Sequence, residues 1–563
     1  MRLSPAISAL LLLAAPGAPA DGQELRATLE REVPRLLREG DIPGISIAVI
    51  RDGKVAWSGA YGIADPASGA PVRPDTVFQA ASLTKPVFAY MVLRLADRGV
   101  VDLDQPLWTV VPEPRLEKEP RARQMNARQV LSHTTGLPNQ GGDTLEAAFP
   151  PGERFQYSGE GFTWLQKVVE KLTGTAAAEL VRREVLAPLG MTRSSMIWQE
   201  SYEGSAAVGV DELGTFQPIP RSTEASARAS LLTTAEDYAR FLLAMVEGKG
   251  LKPETHKALL TPRVQVSPQF GEPSSPPRKD VSWGLGWGLQ GSGTPESFWH
   301  WGHMDAWRAF TVVRQDGSAG LVYFANNHEG LTIARALAAL ALAGPQPGLD
   351  WLGYESHDDP RRLARREIRE ALQAGPEAGA RRWRELRATR PAVVDDELTL
   401  EIAGSLIDRA QGADAAAILQ AAVAEKPGSA KLQDQMGAAL LSAGDLEAAQ
   451  RAFEKARAID PKTPPREAEL RWIQEAVEAR KHPVSLADDE LRRLAGNYGP
   501  RHVTFENGRL LYRRDGRPRI WTLVPMTADT FLVEGNGSFR IRFAADKLVI
   551  LGPGGAQGES PRD

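Results

Sequence analysis

The 563-residue chain has no cysteine. That single absence excludes disulfides, a thiol nucleophile, cysteine-ligated zinc and a lipidated cysteine anchor. Charge of one sign is not in excess either. The 67 Lys and Arg face 71 Asp and Glu, leaving a formal net charge of −4, so no general attraction to nucleic acid or an anionic membrane is expected. Beyond residue 20 no apolar run reaches the roughly 20 residues that span a bilayer. His-Glu-x-x-His, Gly-x-Ser-x-Gly and a phosphate-cradling glycine loop are all missing, which leaves metalloprotease, α/β-hydrolase and nucleotidase readings without support. His300 and His303 lack a third ligand at a recognisable metal spacing. Neither a metal nor an organic cofactor is expected.

What is present begins with Arg2, a short leucine-rich apolar run from Ala6 to Ala15, and Ala18-Pro19-Ala20, a small-x-small cleavage site of the secretory kind. Residues 1–20 read as a cleavable signal peptide, so a periplasmic or secreted protein is expected, without a membrane span. Export without disulfides fits a bacterial periplasm or medium. At 563 residues the chain is too long for one ordinary core.

Leu25 to Arg38 reads as an amphipathic helix. Ile45–Ile50 and Val55–Tyr61 are apolar runs around Asp52-Gly53, a hairpin signal. From Ser82 to about Met245 the periodicity is mostly helical. Strand-like runs return at Trp283–Leu289, Ala309–Arg314 and Gly320–Asn326, followed by a helix from Thr332 to Leu342. Strands at both ends with helices between predict one mixed α/β domain, residues 21–344, whose sheet is built from both termini. The proline-rich stretch between Thr261 and Asp280 is expected to be a surface loop.

Gly344-Pro345-Gln346-Pro347-Gly348 opens an expected linker, residues 345–359. Residues 360–482 are helical and rich in Ala, Arg, Glu and Leu, with Pro391, Pro427 and Pro461 each following a helix. Gly437, Leu440, Ala449, Phe453, Ala456 and Pro461 stand as a 34-residue tetratricopeptide repeat requires, with Phe453 filling the gap between helices. Two to three such repeats are expected, and they offer a surface for a protein partner. Their arginine-rich stretches carry interleaved glutamates and read as solvated faces. From 485 to 556 short runs about Asn507-Gly508 predict a small antiparallel β domain, with 557–563 as a tail.

The chemistry concentrates at Ser82-Leu83-Thr84-Lys85. A separation of three on a helix stacks two side chains on one face. A serine hydroxyl needs a neighbouring base to become a nucleophile, and a lysine serves if desolvation keeps it neutral. Tyr157-Ser158-Gly159 and His300-Trp301-Gly302 follow at a distance, with the phrases Val130–Pro138, Ser230–Asp237 and Gly284–Gly288 between and around them. With these motifs in order, residues 25 to 343 resemble the serine β-lactamase and penicillin-binding-protein superfamily, nearest its class C-like branch of esterases and D-amino-acid peptidases.

The resemblance implies that Ser82 forms an acyl-enzyme, that Lys85 shares its proton, and that Tyr157 acts as general base. It implies an oxyanion hole from the backbone N–H groups of Ser82 and His303, with Gly302 letting its strand approach the substrate closely. Gly159 replaces the usual asparagine, removing one substrate amide contact. His300 stands where many relatives carry lysine and would be a weaker, partly charged partner for a substrate carboxylate. Both departures favour an exported hydrolase of a small-molecule or peptide ester or amide. The alternatives are a β-lactamase or D,D-carboxypeptidase, and an interaction protein with a silent hydrolase domain. His133 is expected to shape its loop, and Asp305 reads as a loop residue.

Overall fold

A computed structural model of the chain describes residues 22–212, 214–267, 278–291, 293–515 and 519–563. The expected signal peptide, and residues 268–277 of the proline-rich stretch, lie outside the described residues. Asp52 and Gly53 take φ of 48° and 69°, the left-handed pair whose twist suits a two-residue hairpin. They join the strands Gly44–Arg51 and Lys54–Asp65, as the Asp-Gly signal predicts. On its other edge Gly44–Arg51 pairs antiparallel with Ala319–Ala325, from Ile45 opposite Ala325 to Arg51 opposite Ala319. The sheet is therefore closed by both ends of the domain, as expected.

Among the described residues nine strands lie in the order 70–71, 54–65, 44–51, 319–325, 307–314, 297–304, 288–290, 281–283 and 264–265. Side chains alternate between faces at every residue of a strand. Ile45, Ile47 and Val49 pack with Leu29, Val33 and Leu36 of the helix Gly22–Glu39. Ala48 and Ile50 face the other way, into the core of the helical middle of the chain. The result is an α/β domain with helices on both faces of one antiparallel sheet. The Trp283–Leu289 run is not one strand. It is split into Val281–Trp283 and Gly288–Gln290, and Gly286 between them has φ of 90° with its N–H donating to Leu131 O at 2.8 Å.

The expected linker at 345–359 is also corrected. Pro347–Leu352 is a helix whose Leu349, Trp351 and Leu352 are buried in the core beneath the sheet. Gly348 N–H donates to the Gln290 side chain at 2.9 Å, and Gln290 donates to Gln346 at 2.7 Å. Glycine and proline mark this segment's turns, but burying a tryptophan and two leucines outweighs their flexibility. The chain divides into two compact units at His357/Asp358, not at 344.

The described residues of the second unit form seven helices between Pro360 and Lys481, then a short helix Asp488–Leu494. A Cβ on Gly437 would stand 2.5 Å from the Phe453 ring, which is the close packing expected of that small–large pair. Eight strands from Gly496 to Pro561 form a sequential antiparallel meander among those residues. The segment 557–563 is therefore no tail but contributes to the last strand, Gly555–Pro561. Helices and meander share a core: Leu532 packs with Phe453 and Trp472, and Trp472 donates its indole N–H to Gly537 O at 2.7 Å. The boundary expected near 483 is therefore not a break in packing.

A chain ending after His357 is expected to fold with a single cooperative melt. One ending after Ala343 discards Leu349, Trp351 and Leu352, and losing a buried cluster of that kind costs on the order of 5 kcal/mol or more. Comparative thermal melts of the two truncations check this, and equal stability would contradict the assignment of 345–357 to the domain core.

Candidate active site

Ala81 has φ of 48°, a conformation that a residue with a Cβ holds only under constraint. It opens the tight turn Ala81–Leu83, which runs into the helix Thr84–Asp97. The constraint is visible around it. Ala80 N–H donates to Leu231 O at 2.8 Å, Leu231 N–H to Thr84 Oγ1 at 2.9 Å, and Thr84 Oγ1 to Ala81 O at 2.7 Å. The strand Ser297–Met304 closes the other side. A Cβ on Gly302 would meet Ala80 O at 2.5 Å, so only glycine lets this strand pass so near the turn. The close approach that Gly302 permits here is to the turn that carries Ser82.

Lys85, in the first turn of the helix, donates to Ser82 Oγ at 2.9 Å and to Arg228 O at 2.9 Å. It is 1% exposed, and its Nζ lies 4.9 Å from the Tyr157 ring centroid and 5.8 Å from that of Phe162. No carboxylate among the described residues pairs with it. Burial, helped by the nearby Arg228 charge, pulls its ammonium from the usual 10.5 to about 7. A buried cation without a counter-ion loses its proton readily. Near neutral pH a substantial fraction of Lys85 is therefore a free amine touching the serine hydroxyl.

Tyr157 is part-buried as a residue, with its hydroxyl fully enclosed and forming no hydrogen bond of ordinary geometry among the described residues. Burial pushes its phenol well above 10, while the neighbouring Ser82 hydroxyl and Arg228 oppose that rise. Aromatic rings fix its position: His133 stacks on it at 4.3 Å and Trp301 lies at 4.7 Å. His133 Nδ1 also accepts the Ser158 N–H at 2.9 Å, so the ring shapes the loop next to Tyr157, as expected of it. An Nδ1 acceptor requires the neutral ring to carry its proton on Nε2, and burial keeps it neutral by pulling its pKa down.

The other expected site residues divide. His300 is corrected: it is wholly buried, with Nδ1 at 2.8 Å from Trp301 O, and does not line the cavity in front of Ser82. Burial lowers its pKa to about 3, so it is neutral rather than partly charged. The Trp299–Trp301 run carries it into the core. His303 lies three residues on, on the opposite face of the strand. It lines the cavity, with its Nδ1 at 2.5 Å from the Tyr354 hydroxyl. Gly159 is buried, and the room an asparagine would need is already filled. A Cβ there would lie 2.5 Å from Asn139 O and 2.7 Å from Arg228 Nε.

Arg228 and Asn139 therefore stand where the missing side chain would be. Arg228 donates to Asn139 O at 3.0 Å and lies 3.5 Å from Glu160 Oε1. Both line a cavity of about 610 Å³ with Ser82, Lys85, His303 and Arg308. Sequence reasoning missed Arg228, Asn139, Arg308 and Tyr354. None belongs to a motif of fixed spacing, and Tyr354 falls in the segment read as linker. Among the described residues no group of three or more His, Asp or Glu is arranged to hold a metal.

A family model described as Beta-lactamase matches residues 29–345, more than half of the chain. Over 314 residues the chain is 24% identical to Protein flp of Staphylococcus aureus (strain MRSA252), covering 52% of this chain and 60% of that protein. Over 295 residues it is 30% identical to Esterase EstB of Burkholderia gladioli, covering 42% of this chain and 74% of the esterase. Over 281 residues it is 28% identical to Penicillin-binding protein 4 of Amycolatopsis lactamdurans, covering 45% and 73%. The match to the staphylococcal protein thus spans about 60% of that relative's length.

The charge of Arg228 bears on the proton of Lys85, and this sets a pH dependence. Only the deprotonated amine can accept the Ser82 proton, so the rate of Ser82 acylation is expected to rise as pH passes about 7. Removing the Arg228 charge relieves the repulsion that lowers the Lys85 pKa. Arg228→Gln should therefore move the midpoint upward, and Arg228→Lys should hold it near the original. Rates of fluorophosphonate labelling across pH 5 to 10 check this, and an unmoved midpoint in the Gln variant would refute it.

Proposed function

The chain belongs to the beta-lactamase family, and on that footing we propose that it is a serine hydrolase cleaving ester or amide bonds through an acyl-serine intermediate. The observation that carries the reading is the 2.9 Å contact between Ser82 Oγ and a buried Lys85 Nζ whose proton is held near pH 7. In the proposed sequence Ser82 Oγ attacks the substrate carbonyl as Lys85 takes its proton. The tetrahedral oxyanion is held by the backbone N–H groups of Ser82 and His303. The leaving group departs with a proton passed through Lys85 and Tyr157, and the same pair deprotonates the water that releases the acyl group.

Support for the oxyanion assignment comes from the strand Ser297–Met304. The neighbouring strand Gly288–Gln290 pairs with it only through Trp299, which leaves the backbone from His300 to Met304 with an edge unpaired by that strand. The high phenol pKa of Tyr157 suits a proton donor or relay better than a resting phenolate. A neutral, buried His300 and a filled Gly159 position leave neither of the two contacts expected to orient a penicillin. Ester or amide hydrolysis is therefore the preferred reading, and an esterase is among the chain's relatives. Export through residues 1–20, and a protein-binding role for the helical repeats, remain parts of the proposal that N-terminal sequencing of the mature protein and affinity capture would test.

A fluorophosphonate should label the protein once, and Ser82→Ala should abolish labelling without lowering the melting temperature. Lys85→Ala and Tyr157→Phe should each reduce ester turnover by about 10²–10⁴-fold, the usual scale for a positioned acid or base. On one preparation, short-chain nitrophenyl esters should be turned over with nitrocefin hydrolysis weak or absent. Labelling that persists in Ser82→Ala, or nitrocefin kcat/KM above that of the best ester, would overturn the reading. Gly159→Asn should not recover β-lactam turnover but should destabilise the fold, because its Cβ meets a backbone oxygen.

A further inference from the structure

The chain has no cysteine, so methionine supplies every sulfur that an oxidant can meet. In the family domain Met91, Met125, Met191, Met196 and Met245 are each 2% exposed or less. Met304 differs from them. It is partly exposed and lines the cavity of about 610 Å³ that Ser82 and Lys85 also line. In the second unit Met436 and Met526 are half-buried against hydrophobic clusters.

Met304 ends the strand Ser297–Met304 and directly follows His303, whose N–H belongs to the proposed oxyanion hole. Gly302 and Met304 share one face of that strand, and the face lies along the residues leading into Ser82. A Cβ on Gly302 would meet Ala80 O, and Gln79 Nε2 donates to Met304 Sδ at 2.9 Å. Gln79 stands three residues before the nucleophile and is 8% exposed. A thioether sulfur is a weak acceptor. The Gln79 amide nevertheless makes no other hydrogen bond among the described residues, and its Oε1 is sealed without a partner. A buried donor held to so weak an acceptor gains from a stronger one in the same place. A sulfoxide oxygen on Met304 is such an acceptor.

We propose that Met304 is an oxidative modification site that controls the hydrolase: a peroxide converts its thioether to the sulfoxide, the added oxygen takes the Gln79 N–H and alters the cavity wall beside Ser82, and turnover is lost until the sulfoxide is reduced. In the chemical step the Sδ lone pair attacks one oxygen of the peroxide. The S–O bond forms as the O–O bond breaks, and the proton on the transferred oxygen passes to the departing hydroxide, which leaves as water. Sulfur loses two electrons and the peroxide gains them. The effect on turnover rests on the hydrolase reading, whereas the position of the oxidation does not.

Hydrogen peroxide titrated against the full-length protein is the probe, with sites read by peptide mass mapping. Met304 should gain one oxygen ahead of Met436 and Met526. Ester turnover and fluorophosphonate labelling of Ser82 should fall in step with that gain. At full conversion the loss should be about 10²-fold, the scale for a misplacement of about 1 Å near the reacting atoms. Met304→Leu, a volume-conserving swap, should keep its own turnover through the same treatment. Methionine sulfoxide reductases A and B together, with dithiothreitol, should return wild-type turnover as the Met304 oxygen is removed, and this arm needs no variant. Oxygen entering other methionines first would overturn the proposal. So would turnover unchanged once Met304 is converted, turnover still lost after its reduction, or a Met304→Leu protein inactivated as fast as the wild type. Should untreated protein show neither turnover nor labelling, the hydrolase reading itself has failed. Preferential oxidation of Met304 would then still uphold the site, and an even or reversed order would refute it.

Discussion

A lysine ammonium taken out of water without a described carboxylate to balance it is the constraint on which the β-lactamase-family domain depends. Lys85 is enclosed by Tyr157, Phe162 and the Arg228 carbonyl. In that setting its charged form is disfavoured, and the free amine is brought into the range where it can accept a proton. An acidic side chain at the same place would stabilise the ammonium and remove its basicity. The surrounding aromatic residues answer that requirement by enclosing the site with rings and no carboxylate. His133, Trp283, His300 and Trp301 crowd around Tyr157. Burial holds both histidines neutral, so these rings add no charge that would upset the balance.

Holding that arrangement takes most of the domain. The turn bearing Ser82 is strained at Ala81 and is clamped by hydrogen bonds from Leu231 and Thr84 on one side and by the strand with Gly302 on the other. The two clamps come from parts of the chain far apart in sequence, brought together because the sheet joins strands from its beginning and its end. Strain of this kind persists only where the surroundings over-determine it. The helix Pro347–Leu352 belongs to the same support. Trp351 packs against Trp299, Trp301 and Phe155, and Tyr354 just beyond it reaches His303.

Much of this was legible in the residues alone. The Asp52-Gly53 hairpin, the return of strands at the C-terminal end of the domain and the meander's Asn507-Gly508 turn all rest on local rules, since turn chemistry and alternation act over two to ten residues. Ser82, Lys85 and Tyr157 were legible as candidates because they stand in ordered motifs that resemble those of a known family. The segment 345–359 misled for an equally physical reason: Gly and Pro report backbone freedom, whereas the burial of Trp351 is decided by a surface formed elsewhere in the chain.

By itself, then, the sequence determined the class of sheet, the proposed nucleophile with its neighbouring amine, and the absence of a cysteine thiol. Only the tertiary structure decided what surrounds them. It buried His300 in a neutral state, filled the place beside Gly159 with Arg228 and Asn139, and brought Arg308 to the cavity that Ser82 lines. Those outcomes turn on desolvation and on contacts between residues tens to hundreds of positions apart. Neither quantity is a property of any residue or spacing; both exist only once the strands have paired and water has been excluded.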